Sequence, residues 1–240
     1  MQPNTVYPHV SIDCVVLGFD GIHLNALLLK RTGIEKGASF NDLKLPGNLI
    51  FANEDLDDAA QRVMSELFST NAIYLKQFKS FGSPHRTVSP RDVMWLEKAT
   101  QLKIGRIITV AYLSMIRIDD KMKFKSDNVQ AVWTPLPSIK ELAFDHAEIL
   151  REAIEEVRRM VSSFPALVFN LLPKKFTAAQ MRTLFEEVYG EKMDVRNFHK
   201  KMIRMEYVIP LDEYEQGVSH RAARYYKFDK KIYSKAHIGF

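Results

Sequence analysis

The 240-residue chain has one cysteine, Cys14, so no internal disulfide can staple it. Cys14 falls in the apolar run 10–17, where a buried strand residue is the plain reading, and no role is assigned to it. Nowhere do about 18 apolar residues run uninterrupted, which argues against a membrane-spanning helix. The first thirty residues lack a basic segment followed by an apolar stretch and a small-residue cleavage site, so no secretory signal is read there. A cytoplasmic protein with no membrane partner is expected, and no disordered tail is suggested. Charge of one sign is also missing from most of the chain. Residues 1–173 carry 20 Lys+Arg against 20 Asp+Glu, whereas residues 174–240 carry 14 against 9, so the net charge of +5 lies wholly in the last segment. A localised basic balance is a footprint of nucleic-acid binding.

What is present is ordinary globular material: 46% hydrophobic and 26% charged residues, enough for two cores in a chain longer than one usual domain. Two apolar stretches, 10–18 and 24–31, flank Asp20-Gly21 and read as a hairpin. Leu56, Ala59, Ala60, Val63, Met64 and Leu67 recur at helical spacing, and 107–116 and 129–134 read as further strands. Residues 81–103, polar and interrupted by Pro84 and Pro90, read as an elaborated surface loop. From Asp145 the pattern changes. Asp145 and Glu148 have capping-box spacing, and Leu150, Ile154, Val157 and Val161 then follow as one helical face, a connecting helix of about four turns.

The basic segment carries the sharper signals. Thr177 and Gln180 form a second capping box, and Met181, Leu184, Phe185 and Val188 line one face of a helix that Gly190 stops. Asp194 caps another, giving two short helices joined by a tight turn. In the second, Val195, Phe198, Met202 and Met205 are expected inside, leaving Arg196, Asn197, His199, Lys200, Lys201 and Arg204 outward. Arg and Asn make bidentate contacts to base edges, while lysines hold phosphates. Residues 207–210 and 223–228 read as the strands of a wing, with Arg221 and Arg224 on or beside it. Double-stranded operator DNA is the expected partner; a solvated basic face, or one that docks protein, is the plainer alternative.

The segment LPGNLIFANEDLDDAAQRVMSELFST from Leu45 resembles a Nudix box, the loop–helix–loop signature of hydrolases acting on nucleoside diphosphates linked to another group. Pro46-Gly47, Glu54, Arg62 and Glu66 match it. Asn48 replaces the second glycine, Val63 and Leu67 stand where helix glutamates hold the metal, and Ser69 replaces the closing glycine. Oxygen-rich coordination of Mg²⁺ is lost with those carboxylates, so no catalytic residue, metal or cofactor is expected. Glu54, Asp55, Asp57 and Asp58 are explained by the helix N-terminus.

A degenerate Nudix box ahead of a winged helix is similar to the Nudix-related transcriptional regulators, as are VSIDCVVLGFD, LLLKR, RIITVAYLSMI, LAFDHAEIL and LLPKKFTAAQM with NFHKK. The resemblance implies an α+β chain, with a Nudix-type mixed-sheet α/β/α sandwich over 1–160 and a winged helix-turn-helix over 161–240. It also implies a homodimer that binds an operator under the control of a small molecule, ADP-ribose or a pentose. Asn48 removes a glycine's close approach to a pyrophosphate and adds an amide suited to hydroxyls; the expectation is therefore L-arabinose, with ADP-ribose or retained hydrolysis as alternatives. Candidate ligand residues are Lys30, Lys44, Asn48, Asp145 and His146, each with a plainer reading as a solvated, capping or structural residue. The connecting helix is the expected route by which ligand alters operator affinity.

Overall fold

The first strand sets the plan. Its early residues are half-buried or exposed, but its last eight are all buried, which is how a strand reads when both faces are covered. The computed structural model describes residues 5–35, 38–69, 73–87, 89–118, 124–125, 130–219 and 221–236. Among them β1 (Val6–Phe19), β2 (Leu24–Glu35), β3 (Ala38–Lys44), β4 (Gly47–Phe51), β5 (Lys76–Phe81), β6 (Ile108–Arg117) and β7 (Ala131–Pro135) form one sheet. Its order is β3-β2-β1-β6-β5, with β4 pairing β1 and β7 pairing β2. Val129, placed at the start of the last strand by sequence, lies outside the described residues. The turn between β1 and β2 forms as expected: the Asp20 carboxylate accepts the Ile22 and His23 N–H groups at 2.8 and 2.7 Å, and Gly21 takes a φ of +100°.

Helix α1 (Leu56–Leu67) starts with a capping box between Asp55 and Asp58. Its Ala59, Ala60, Val63 and Met64 share a core with Ile12, Cys14 and Val16 of β1, and burial pushes the Cys14 thiol far up, with Asp13 adding to the shift. The alternate residues of β1, Asp13, Val15 and Leu17, are buried as well.

Residues 81–103 correct the sequence reading. They include helix α2 (Pro90–Thr100), and Arg86 and Asp92 are buried. Proline is well placed at a first helical position, but the helix has a weak apolar stripe, so periodicity gave little sign of it. It is tied down by charge. Arg31, buried within the sheet, meets Asp42 at 2.6 Å and Asp92 of α2 at 2.7 Å, and its guanidinium lies among the rings of Phe40, Trp95 and Phe144.

Contacts divide the chain into two units: Met1–Gly18, Asn25–Ile116 and Asp120–Glu156 in the first; Phe19–Leu24, Arg117–Asp119 and Val157–Phe240 in the second. Helix α3 (His146–Ser163) runs across the division point in the chain. In the second unit, α4 (Ala178–Tyr189) begins with the reciprocal Thr177–Gln180 capping box and ends at Gly190 with φ +72°. Helix α5 (Val195–Ile203) is capped by the Asp194 side chain on the Asn197 N–H, 2.8 Å away. Strands β8 (Phe176–Thr177), β9 (Val208–Tyr214) and β10 (Arg224–Phe228) pair in the order β8-β10-β9. Helix α6 (Lys230–Ala236) follows.

Candidate functional site

In the first unit a cavity of about 350 Å³ opens beside the relic box. Asp13 of β1, Lys44 at the end of β3, Asn48 of β4 and Val63, Glu66 and Leu67 of α1 line it, together with Arg86, Trp95 of α2, Phe144 and His146. Its volume lies at the lower end of the range of about 300–1,000 Å³ usual for small-molecule sites. Aromatic and aliphatic walls with a few convergent charges suit a ligand that is part planar and part anionic.

A buried polar chain supports these walls. The His146 Nδ1 accepts the Leu45 N–H at 2.8 Å, so its proton sits on Nε2, 3.3 Å from Asp13 Oδ1. Arg86 reaches Asp13 at 3.5 Å and clasps both oxygens of Asp145 at 2.8 Å. Burial alone would raise the Asp13 carboxyl; His146, Arg86 and a hydrogen bond with Thr109 outweigh it and hold that carboxyl far below the usual range. Both ring nitrogens of His146 are engaged, so it positions the Leu45 loop and offers no free base. Phe144, just before it, adopts φ +58° and donates its N–H to Asp92 at 3.2 Å, joining α2 to the start of α3. Gly47 is required here: a Cβ would lie 2.5 Å from the Ile12 carbonyl oxygen and closer still to Asp13.

Lys44, Asn48 and His146 are thus brought together, and two of the five ligand candidates are not. Lys30 is exposed within β2, on the opposite side of the strand from its neighbour Leu29, which lines the cavity. Asp145 does not line the cavity; it stands behind Arg86, and its carboxylate holds that guanidinium rather than serving only as a helix cap. Asn48 sits at the rim, and its side-chain oxygen accepts the Leu49 N–H at 2.9 Å, which weakens the case for it as a hydroxyl partner. The sequence reading missed Asp13, Arg86, Trp95 and Phe144. A carboxylate inside the apolar run 10–17 was the one local sign of this site.

The relic box is held by its own side chains. Arg62 donates to both oxygens of Glu54, at 2.9 and 2.6 Å, and to the Leu49 carbonyl at 3.1 Å. Its remaining nitrogen meets Glu66 at 3.2 Å. The Tyr112 hydroxyl donates to Asp57. No group of three His, Cys, Asp or Glu side chains suited to a metal occurs among the described residues.

In the second unit, Phe198 and Met202 anchor α5, with Phe185 of α4 edge-on to Phe198 at 5.7 Å. Val195, expected in that stripe, is 59% exposed because it is the first residue of the helix, ahead of the packed turn. Arg196, Asn197, His199, Lys200, Lys201 and Arg204 are all exposed. The turn between the helices is fixed by Glu186, whose carboxylate accepts the Met193 N–H at 3.1 Å and pairs with Lys192 and Arg182. That backbone bond, with the two cations, holds its carboxyl below the ordinary value despite an opposing desolvation. Arg221 and Arg224 flank the wing and are exposed; Arg224 also donates to the Leu211 carbonyl at 2.6 Å, bracing the hairpin.

The two units are a Nudix-like mixed sheet and a winged helix. Residues 168–228 match the profile of the NrtR DNA-binding winged helix domain. The chain is 24% identical over 230 residues to the ADPR responsive transcriptional repressor NtrR of Acinetobacter baylyi, covering 94% of this chain and 84% of that one. Its fold resembles that of Shewanella oneidensis NrtR in complex with a 27mer DNA, with a TM-score of 0.66 at 20% identity over 92% of this chain and 93% of that one. A MutT/nudix family protein from Enterococcus faecalis gives a TM-score of 0.55 at 24% identity, covering 93% and 88% of the two chains. The chain thus pairs a Nudix-like sheet with a segment that matches the NrtR DNA-binding winged helix domain.

Proposed function

We propose that this chain is a DNA-binding transcriptional repressor of the NrtR type, acting as a homodimer, whose Nudix-like cavity binds ADP-ribose without cleaving it. The observation that carries the DNA-binding reading is α5: capped by Asp194 and anchored through Phe198 and Met202, it leaves Arg196, Asn197, His199, Lys200 and Lys201 exposed together. A helix so placed enters a major groove, with Arg196 and Asn197 near its N-terminus reading bases and the later lysines holding phosphates.

For the effector, the curated relative is named for its response to ADPR, and no comparison supports the expected pentose or a role in sugar catabolism. The cavity favours the same choice. Two cations, Lys44 and Arg86, and the ring of Trp95 line it, whereas Asn48, the residue that favoured a sugar, bonds its own neighbour. Hydrolysis is disfavoured because Val63 and Leu67 put apolar side chains where metal-holding carboxylates are needed. Ligand control of DNA binding requires that ADP-ribose bind the DNA-competent and DNA-released states with unequal affinity.

The test begins with selection of duplexes from a random pool by the full chain, followed by binding of the enriched duplex. Enrichment of a two-fold-related site, and loss of its binding by about 100-fold or more in the Arg196→Ala/Lys200→Ala double variant, is expected. Intact binding by that variant refutes the recognition helix. Calorimetry with ADP-ribose and with L-arabinose should give heat with the first alone; heat with arabinose alone would restore the pentose reading. Incubation of ADP-ribose with the protein and Mg²⁺ should release no AMP.

A further inference from the structure

The Nudix-like fold implies a divalent cation held by acidic side chains of α1, and the residues present do not fit one. Val63 and Leu67 are buried and apolar, Glu54 has both oxygens on Arg62 and a third bond from the Phe51 N–H, and Asp57 receives Tyr112. Glu66 alone of the α1 carboxylates lines the cavity, and it too is paired with Arg62. A pyrophosphate entering this cavity would meet the carboxylates of Glu66 and Asp13 and no metal to offset its own charge.

A fixed cation stands on the same cavity instead. Lys44 ends β3, and its ammonium donates to the carbonyls of Leu45 and Gly47 at 3.2 and 3.1 Å, both in the loop that opens the relic box. Those two bonds hold it in place and leave a third N–H for a ligand. The other cavity cation, Arg86, is already matched by Asp13 and Asp145. Lys44 has no carboxylate within ion-pair distance among the described residues, and Trp95 lies beneath its ammonium at 5.8 Å. Burial pushes that ammonium below its ordinary value, with Asp13 opposing the shift, so an arriving anion stabilises its charged form.

We propose that Lys44 does the work the metal does in a Nudix enzyme, neutralising the pyrophosphate of the effector, so that this chain binds a nucleoside diphosphate sugar in metal-free form. The inference rests on the ADP-ribose reading and adds to it a residue and an independence from divalent ions. A tethered ammonium supplies charge without polarising water, which accounts for binding kept while cleavage is lost.

The test titrates ADP-ribose into the wild-type full chain by calorimetry, once with EDTA and once with Mg²⁺. Equal affinity in the two buffers is expected. Affinity that appears only with Mg²⁺ overturns the inference and leaves the effector reading standing; no binding in either buffer overturns the effector reading itself. The Lys44→Met variant, with an unchanged melting profile, should bind about 10- to 100-fold more weakly, and Lys44→Arg should recover part of the loss. Wild-type affinity in a folded Lys44→Met protein also overturns the assignment.

Discussion

Replacing Arg86 by Met isolates the buried ion chain behind the cavity. The Arg86 side chain is 4% exposed, against 8% for Asp13 and 13% for Asp145, so the variant would leave two carboxylates largely out of water without their shared cation. Removing one partner of a buried pair costs about 3–5 kcal/mol, a large share of the roughly 5–15 kcal/mol that holds a domain together. The loss should depend on pH. Asp13 is depressed in the folded state, so its stabilising contribution is fully present above the unfolded value of about 3.9 and fades as pH falls below it. Arg86 contributes to that depression. Wild type and variant should therefore differ most near neutrality and converge by as much as about 1.4 kcal/mol per pH unit in acid below about pH 4. Urea denaturation read by tryptophan fluorescence is the assay, because both tryptophans of the chain, Trp95 and Trp133, belong to the first unit and report it alone. A loss under about 1 kcal/mol at pH 7, or one of equal size at pH 7 and pH 3, refutes the reasoning.

Two further outcomes follow from local geometry. Gly47→Ala places a methyl against the Ile12 carbonyl and Asp13; backbone on one side cannot yield cheaply, so a destabilisation of about 1–3 kcal/mol is expected in the same urea assay, with ADP-ribose affinity reduced as the Leu45 loop shifts. Glu186→Gln keeps the shape of the α4–α5 turn but removes the charge facing Lys192 and Arg182. It should lower the melting temperature of the second unit modestly, by about 0.5–1 kcal/mol in free energy. That cost should fade as pH falls through and below about 4.3, because the folded carboxyl is depressed and its contribution is lost once it is protonated.

The sequence by itself determined the parts whose signals lie within one or two turns of chain. Thr177 with Gln180, Asp194 and Gly190 fix the ends of α4 and α5 through hydrogen bonds spanning three or four residues, and the outward set on α5 follows from helical spacing once Phe198 and Met202 are seen as its anchors. The absence of two acidic side chains from the box is equally local, since Val63 and Leu67 carry no side-chain oxygen in any fold. Only the tertiary structure decided the cavity. Asp13 and Arg86 are 73 residues apart, and Leu45 and His146 are 101 apart, so no window of sequence contains either contact. Lys30 and Lys44 look alike as strand lysines, yet strand parity exposes one and lines the cavity with the other. Helix α2 was hidden for the same reason: it is held less by an apolar stripe of its own than by Arg31 reaching Asp92 from a strand far back in the chain, and a bond of that kind exists only after the sheet has formed.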